Sequence, residues 1–308
     1  MMKAAIALNR VSKEFKGKRA VDDLTLDIAE GSVVALLGPN GAGKTTSVTM
    51  MLGLQKPTSG TVRLLSGDPG DRSIRARIGA MLQEVNVIDR LKVREIIDLF
   101  RSYYDKPMPL ERLLKISGLD AEKEKMATSL SGGQKRRLDF ALALAGDPSV
   151  LFLDEPTVGM DITSRLLFWD TVRALAGSGR TIILTTHYLD EADSIADRVV
   201  VINRGRLAAD GTPEKIKSAA GGRILTFTAG ASFPRELIDS LPGVTQASWS
   251  GRRVRLHSAD TDRLLFELVG RQADMKDIEV HGGGLEEAFQ HLVQDESAAA
   301  EEARGNSR

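Results

Sequence analysis

The chain has 308 residues, enough for one large domain and a smaller one. Its 42 basic residues balance 42 acidic ones, so no nucleic-acid partner is expected on electrostatic grounds. Cysteine is absent, which excludes disulfide frameworks, thiolate nucleophiles and thiolate metal sites and fits a reducing compartment.

The first ten residues, Met1 to Arg10, carry no apolar core behind a basic end, so a secretory signal is not expected there. Ile6 to Val11 and Val21 to Ile28 have the pattern of strands in a half-buried sheet, with a turn at Lys16-Gly17-Lys18. Val33 to Leu37 is a continuous apolar run, as in a strand buried on both faces. It lies in the longest stretch free of Asp, Glu, Lys and Arg, the 13 residues from Gly31 to Gly43. A membrane-spanning helix needs about 20 apolar residues, so none is expected, and work at a bilayer would require another subunit as the anchor.

That strand runs into G-P-N-G-A-G-K-T-T, Gly38 to Thr46, and a helix is expected over Lys44 to Leu54. Strand, glycine loop and helix form the context a phosphate loop requires. In G-x-x-x-x-G-K-[ST], the backbone of Gly38, Pro39, Asn40, Gly41, Ala42 and Gly43 wraps phosphate oxygens. Lys44 reaches the β- and γ-phosphates, Thr45 offers a hydroxyl to Mg²⁺, and Thr46 supports the α-phosphate, a packing role being the alternative. The partial positive charge of the following helix N-terminus adds to the cradle.

Further strands are expected at Thr61 to Leu65, Ile78 to Leu82, Val150 to Leu153, Thr181 to Thr185 and Val199 to Asn203. The interval from about 84 to 146 instead carries helical periodicity at Val93, Ile96, Ile97 and Phe100, at Leu113, Leu114 and Ile116, and at Leu138, Leu142 and Ala145. It reads as a helical insert in an α/β core. Within it, Leu130-Ser131-Gly132-Gly133-Gln134 precedes a helix. Ser131 suits an N-cap, and a glycine-bearing helix N-terminus is also an anion site, so two roles are open.

Asp154 and Glu155 follow four apolar residues and fall at the carboxyl end of a buried strand, where open α/β sheets bind ligands. Asp154 is placed to hold Mg²⁺ and Glu155 to act as general base or to polarise the attacking water. Thr212-Pro213-Glu214 opens a further helix, and Gly221-Gly222 marks a linker. Beyond it the order is strand (Ile224 to Thr228), helix (Pro234 to Leu241), strand (Val244 to Trp249), strand (Val254 to His257), helix (Thr261 to Arg271), strand (Asp277 to His281) and helix (Leu285 to Leu292). The first six follow the split βαβ order of ferredoxin-like folds. The expected division is therefore 1–220, 223–293 and a disordered tail over 294–308.

The phosphate loop, Leu130 to Gln134, the run Val150 to Glu155, and His187 in T-T-H-Y-L-D-E-A-D resemble, in this order and spacing, the ATP-binding subunit of an ABC transporter. The resemblance covers about residues 5 to 217. It implies an α/β fold: a P-loop NTPase core of ABC type with N-terminal antiparallel strands and a helical insert, followed here by a small α+β domain. It implies ATP and Mg²⁺ as ligands, with His187 contacting the γ-phosphate and orienting Glu155. Gln83 would touch Mg²⁺ and link the core to the insert, and Phe15 stands where an aromatic stacks on adenine, a core role being the alternative. Ser131, Gly132, Gly133 and Gln134 would meet ATP held by a second subunit, which implies a head-to-tail dimer. Asp161 matches the loop that crosses between subunits, but Val158-Gly159-Met160-Asp161 keeps only the aspartate of the usual Ser-Ala-Leu-Asp.

H-Y-L-D-E-A-D, K-R-R-L after Gln134, and L-E-E-A-F from Leu285 to Phe289 look like the exporter ATPases paired with a separate permease for drugs, antibiotics, polymers or lipids. An importer ATPase or a soluble ABC-type ATPase is the alternative. The implied location is peripheral, on the cytoplasmic face of the cell membrane. A permease helix is expected to dock at about 84 to 101, where Val85, Val87 and Ile88 mix with Arg90, Lys92 and Arg94; a surface loop is the alternative.

Overall fold

The computed structural model describes residues 3–82, 88–219, 223–258, 260–282, 284–290 and 292. The chain divides into two compact units, residues 1–208 and 209–308. The division falls earlier than the Gly221-Gly222 pair expected as the linker, and that pair lies outside the described residues.

Strands β1 (Ala4–Phe15) and β2 (Lys18–Ala29) form a long antiparallel hairpin. Its two-residue turn has positive φ at both Lys16 and Gly17, the geometry that matches strand twist. Strand β3 (Val33–Leu37) is buried at every position and leads through the glycine loop into helix α1 (Lys44–Met51). The helix stops short of the expected Leu54 because Gly53 turns left-handed, at φ 67°, and ends it. Strand β4 (Ser59–Leu64) pairs with β1, giving the three-stranded sheet β2-β1-β4.

A short helix α2 (Arg72–Arg75) precedes strand β5 (Ile78–Met81). The helical insert contains α3 (Val93–Arg101), α4 (Leu110–Ser117) and α5 (Gly132–Leu144). Then follow β6 (Val150–Asp154), α6 (Ile162–Gly177), β7 (Thr181–Thr185), α7 (Leu189–Ile195), β8 (Arg198–Asn203), β9 (Arg206–Gly211) and α8 (Pro213–Ala219). The second sheet has the order β5-β6-β7-β3-β8-β9, and the pairings from β5 through β8 are parallel. All residues of β6 and β7, like those of β3, are buried, which is why these strands read as unbroken apolar runs rather than alternating ones. Because β6, β7 and β3 are adjacent, the segments leaving their carboxyl ends converge.

The second unit builds a four-stranded antiparallel sheet from β10 (Arg223–Ala229), β11 (Val244–Ser250), β12 (Arg253–Ser258) and β13 (Met275–Gly282), in the order β11-β12-β10-β13. That is the order of the split βαβ arrangement. Helix α9 (Thr261–Gly270), capped by Asp260, packs Leu264 and Leu268 with Leu225, Phe227, Val254 and Leu256. The crossover expected as a helix from Pro234 to Leu241 is a six-residue 3₁₀ helix, Arg235–Ser240. Pro242 disfavours α geometry at Leu241, and a segment this short closes in the tighter turn. Residues 285–290 are helical, and 293–308 lie outside the described residues. Among the described residues no helix is long and apolar enough to cross a membrane.

Candidate functional site

One cavity of about 400 Å³ opens where β3, β6 and β7 end. It is lined by Phe15, Asn40, Gly41, Ala42, Gly43, Lys44, Thr45, Thr46, Asp154, Glu155 and His187, together with Lys18, Arg19 and Ala20 from the start of β2. Gly38 and Pro39 are not part of that lining, but their carbonyls accept from Lys44 Nζ at 2.6 and 3.1 Å. Two glycines in the loop are sterically required. A Cβ on Gly43, which sits at φ 105°, would lie 2.4 Å from the Ala20 carbonyl, and one on Gly38 would lie 2.2 Å from that of Ile202. Burial pushes the Lys44 ammonium below its ordinary pKa, while the charges of Glu155 and Asp154 pull it back up.

Phe15 is 43% exposed and faces the cavity, so it is not a core residue. Its ring has Lys13 Nζ 5.0 Å above its centroid.

Strand β6 delivers Asp154 and Glu155 to the cavity in different ways. Asp154 Oδ1 accepts from the Thr185 hydroxyl on the neighbouring strand. Glu155 takes a left-handed backbone, φ 50°, which costs a non-glycine residue on the order of 1–3 kcal/mol and persists only where its surroundings over-determine it. They do. Its N–H donates to the Thr185 carbonyl at 3.1 Å, and its carbonyl accepts from the Arg136 guanidinium at 2.5 Å. Glu155 is 4% exposed, and burial raises its pKa against the opposing pull of His187. His187 Nε2 lies 3.1 Å from Glu155 Oε1, and the His187 N–H donates to Oε2 at 3.3 Å.

Among the described residues, no group of three or more His, Asp or Glu is placed to hold a metal. Thr45 and Asp154 nevertheless line the same cavity, and a metal bound with nucleotide takes further oxygens from phosphate and water. Gln83 lies outside the described residues, as do Val85 and Val87 of the expected docking segment.

Ser131, Gly132, Gly133 and Gln134 form the N-terminus of α5 and do not line the cavity. Ser131 Oγ accepts from the Gln134 N–H at 3.3 Å, and Gln134 Oε1 accepts from the Ser131 N–H at 2.9 Å, a reciprocal capping box. Asp161 likewise caps α6, its carboxylate accepting from the Ser164 N–H and hydroxyl at 2.8 Å each, which lowers its pKa.

Arg136 was not singled out from the sequence. Buried on the second turn of α5, it donates to the carbonyls of Leu82 at 3.0 Å, Asp154 at 3.3 Å and Glu155, so it ties the helix to the ends of β5 and β6. The signal was present as a phase: Arg136, Asp139, Phe140 and Ala143 share the buried face of α5.

The ABC transporter family model matches residues 21–158. The Nod factor export ATP-binding protein I of Rhizobium sp. (strain N33) is 37% identical, covering 88% of this chain and 91% of its own. The daunorubicin resistance ATP-binding protein DrrA3 of Streptomyces coeruleorubidus is 35% identical, covering 98% of this chain and 100% of its own. A solved dimeric ATP-binding cassette in a post-hydrolysis state, bound to ADP and Pi, is similar with a TM-score of 0.62 and 27% identity, covering 67% of this chain and 98% of that one. A phosphate loop, an Asp-Glu strand end and a histidine meeting in one cavity thus coincide with full-length similarity, and the chain belongs to the ATP-binding ATPase subunits of ABC transporters.

Proposed function

We propose that this subunit powers export through a separate transmembrane permease, binding MgATP at the cavity and closing head to tail with a second cassette. The observation that carries the reading is the convergence of Lys44, Asp154, Glu155 and His187 on one cavity at adjacent strand ends. Export rests on the relatives named for Nod factor export and daunorubicin resistance, which favour it over an importer or a soluble role.

In this reading Phe15 stacks on the adenine, and the loop from Gly38 to Gly43 and Lys44 cradle the phosphates. Thr45 and Asp154, with Gln83, would hold Mg²⁺, which when bound offsets charge on the β- and γ-phosphate oxygens. Glu155 accepts the proton of the attacking water or orients it, and its raised pKa suits a base whose conjugate acid must hold that proton briefly. His187, in contact with Glu155, fixes the carboxylate and reaches toward the γ-phosphate. Ser131 and its glycines meet the γ-phosphate bound to the partner chain, and Asp161 lies at the seam. The work is done peripherally on the cytoplasmic face of the membrane, and the permease selects the cargo.

Glu155→Gln tests the central assignment. It should retain MgATP binding, lose at least the ~10²-fold in turnover typical of a general base, and accumulate as an ATP-bound dimer on sizing. Near-parental turnover would remove Glu155 from its role.

A further inference from the structure

We infer that Glu191 is a positioning residue for hydrolysis: its buried carboxylate clasps the segment following Glu155 to the segment carrying His187. This rests on the reading of Glu155 and His187 as the hydrolytic pair. Glu191 stands on the first turn of α7, is 6% exposed, and does not line the cavity. Its oxygens are occupied from two directions. The Thr157 hydroxyl lies 2.9 Å from Oε1 and 3.1 Å from Oε2, and the Thr186 hydroxyl donates to Oε2 at 2.9 Å.

Thr157 is two residues beyond Glu155, and Thr186 immediately precedes His187. The Thr186 hydroxyl also accepts from the Tyr188 N–H at 3.0 Å, so residues on both sides of His187 are bound into the clasp. A third element joins it. Arg165 of α6 places Nε 3.4 Å from Glu191 Oε1, an ion-pair contact not aligned as a hydrogen bond, and lays its guanidinium 4.3 Å from the Tyr188 ring centroid.

Glu155 and His187 come from different strands, and each hangs on a short loop. The clasp joins those two loops through residues that do not line the cavity, and so sets the 3.1 Å spacing between Glu155 and His187 that the chemistry uses. Reacting groups are sensitive to displacements of about 1 Å, which can cost on the order of 10²-fold in rate. A carboxylate serving only to anchor the start of α7 would instead affect folding and every activity together.

The test uses the purified full-length protein, reading kcat and KM for MgATP, the Kd of a fluorescent ATP analogue, and the thermal midpoint. Glu191→Ala should lower kcat at least about tenfold while leaving nucleotide affinity within about threefold. Glu191→Gln should recover most of the loss, because its amide can accept from one threonine hydroxyl and donate to the other. If Glu191→Ala does not fold, Thr186→Val, which leaves the carboxylate paired with Thr157, should show the same fall in kcat at preserved affinity. Parental kcat in Glu191→Ala and Thr186→Val overturns the clasp. So does a parallel fall of kcat, affinity and midpoint with no recovery in Glu191→Gln. Glu155→Gln run alongside separates the two failures: if it matches the parent, the reading of Glu155 fails and the clasp falls with it.

Discussion

Lys44 is held between opposing influences at a single atom. Burial disfavours its charge, Asp154 and Glu155 favour it, and the loop carbonyls of Gly38 and Pro39 occupy its protons. An ammonium so placed is poised for an anionic ligand, and its removal should act on binding before chemistry. Lys44→Ala should weaken ATP affinity by roughly 1.5–3 kcal/mol, on the order of ten- to two-hundredfold, as expected for a hydrogen-bonded charge. Unchanged affinity in a titration would contradict the assignment. Asp139, on the buried face of α5, makes a different prediction. Burial pushes its carboxyl up to about 7 although Arg136 pulls the other way. The folded chain therefore keeps a proton that the unfolded chain releases above about pH 4, so this residue's contribution to stability falls as pH rises from there to about 7, then levels off. Asp139→Asn should match the parent's thermal midpoint most closely near pH 4 and exceed it increasingly up to about pH 7, with a steady gap above. A gap independent of pH would show that Asp139 does not titrate as its burial requires.

Elements decide which of these residues can meet. The glycine loop and the Asp154-Glu155 strand end were legible because each follows a strand buried on both faces, and such strands show as unbroken apolar runs that place their ends in a parallel sheet. His187 also follows such a strand, but only the resemblance carried by T-T-H-Y-L-D-E-A-D singled it out. Arg136 and Glu191 were not legible as site residues. Their roles arise from carbonyls and hydroxyls of distant segments, Leu82 and Glu155 for one and Thr157 and Thr186 for the other, and no local pattern encodes those pairings. The 3₁₀ crossover at Arg235–Ser240 escaped for a related reason, since its apolar spacing suits a helix while the flanking Pro242 sets its length. Helix α5 carries two roles at one end: Ser131 caps the helix within its own chain and, in the proposed dimer, faces a phosphate of the other. Ser131→Asp separates them. Aspartate caps as well as serine and favours the helix dipole, so the thermal midpoint should hold or rise. Its negative charge should repel the γ-phosphate, so ATP-dependent dimerisation and turnover should collapse. Parental turnover in a well-capped Ser131→Asp protein would leave Ser131 with the capping role alone.

At the scale of the whole molecule, the cavity and the α5 N-terminus are separate surfaces of one chain, since Ser131 and its glycines do not line the cavity. A head-to-tail pair would join them, completing each nucleotide site with a helix N-terminus aimed at the charge that develops on the γ-phosphate. Every role proposed for Ser131, Asp161 and the ATP-driven push on a permease depends on that sharing. Mixing two damaged chains tests it most directly. Lys44→Ala and Ser131→Arg proteins should each be nearly inactive, but a mixed dimer holds one composite site free of both lesions. With free exchange in an equal mixture, half the dimers are mixed and half their sites intact, so turnover should return to about a quarter of the parental value. A mixture no more active than its components, with Ser131→Arg alone hydrolysing ATP at the parental rate, would contradict the shared site.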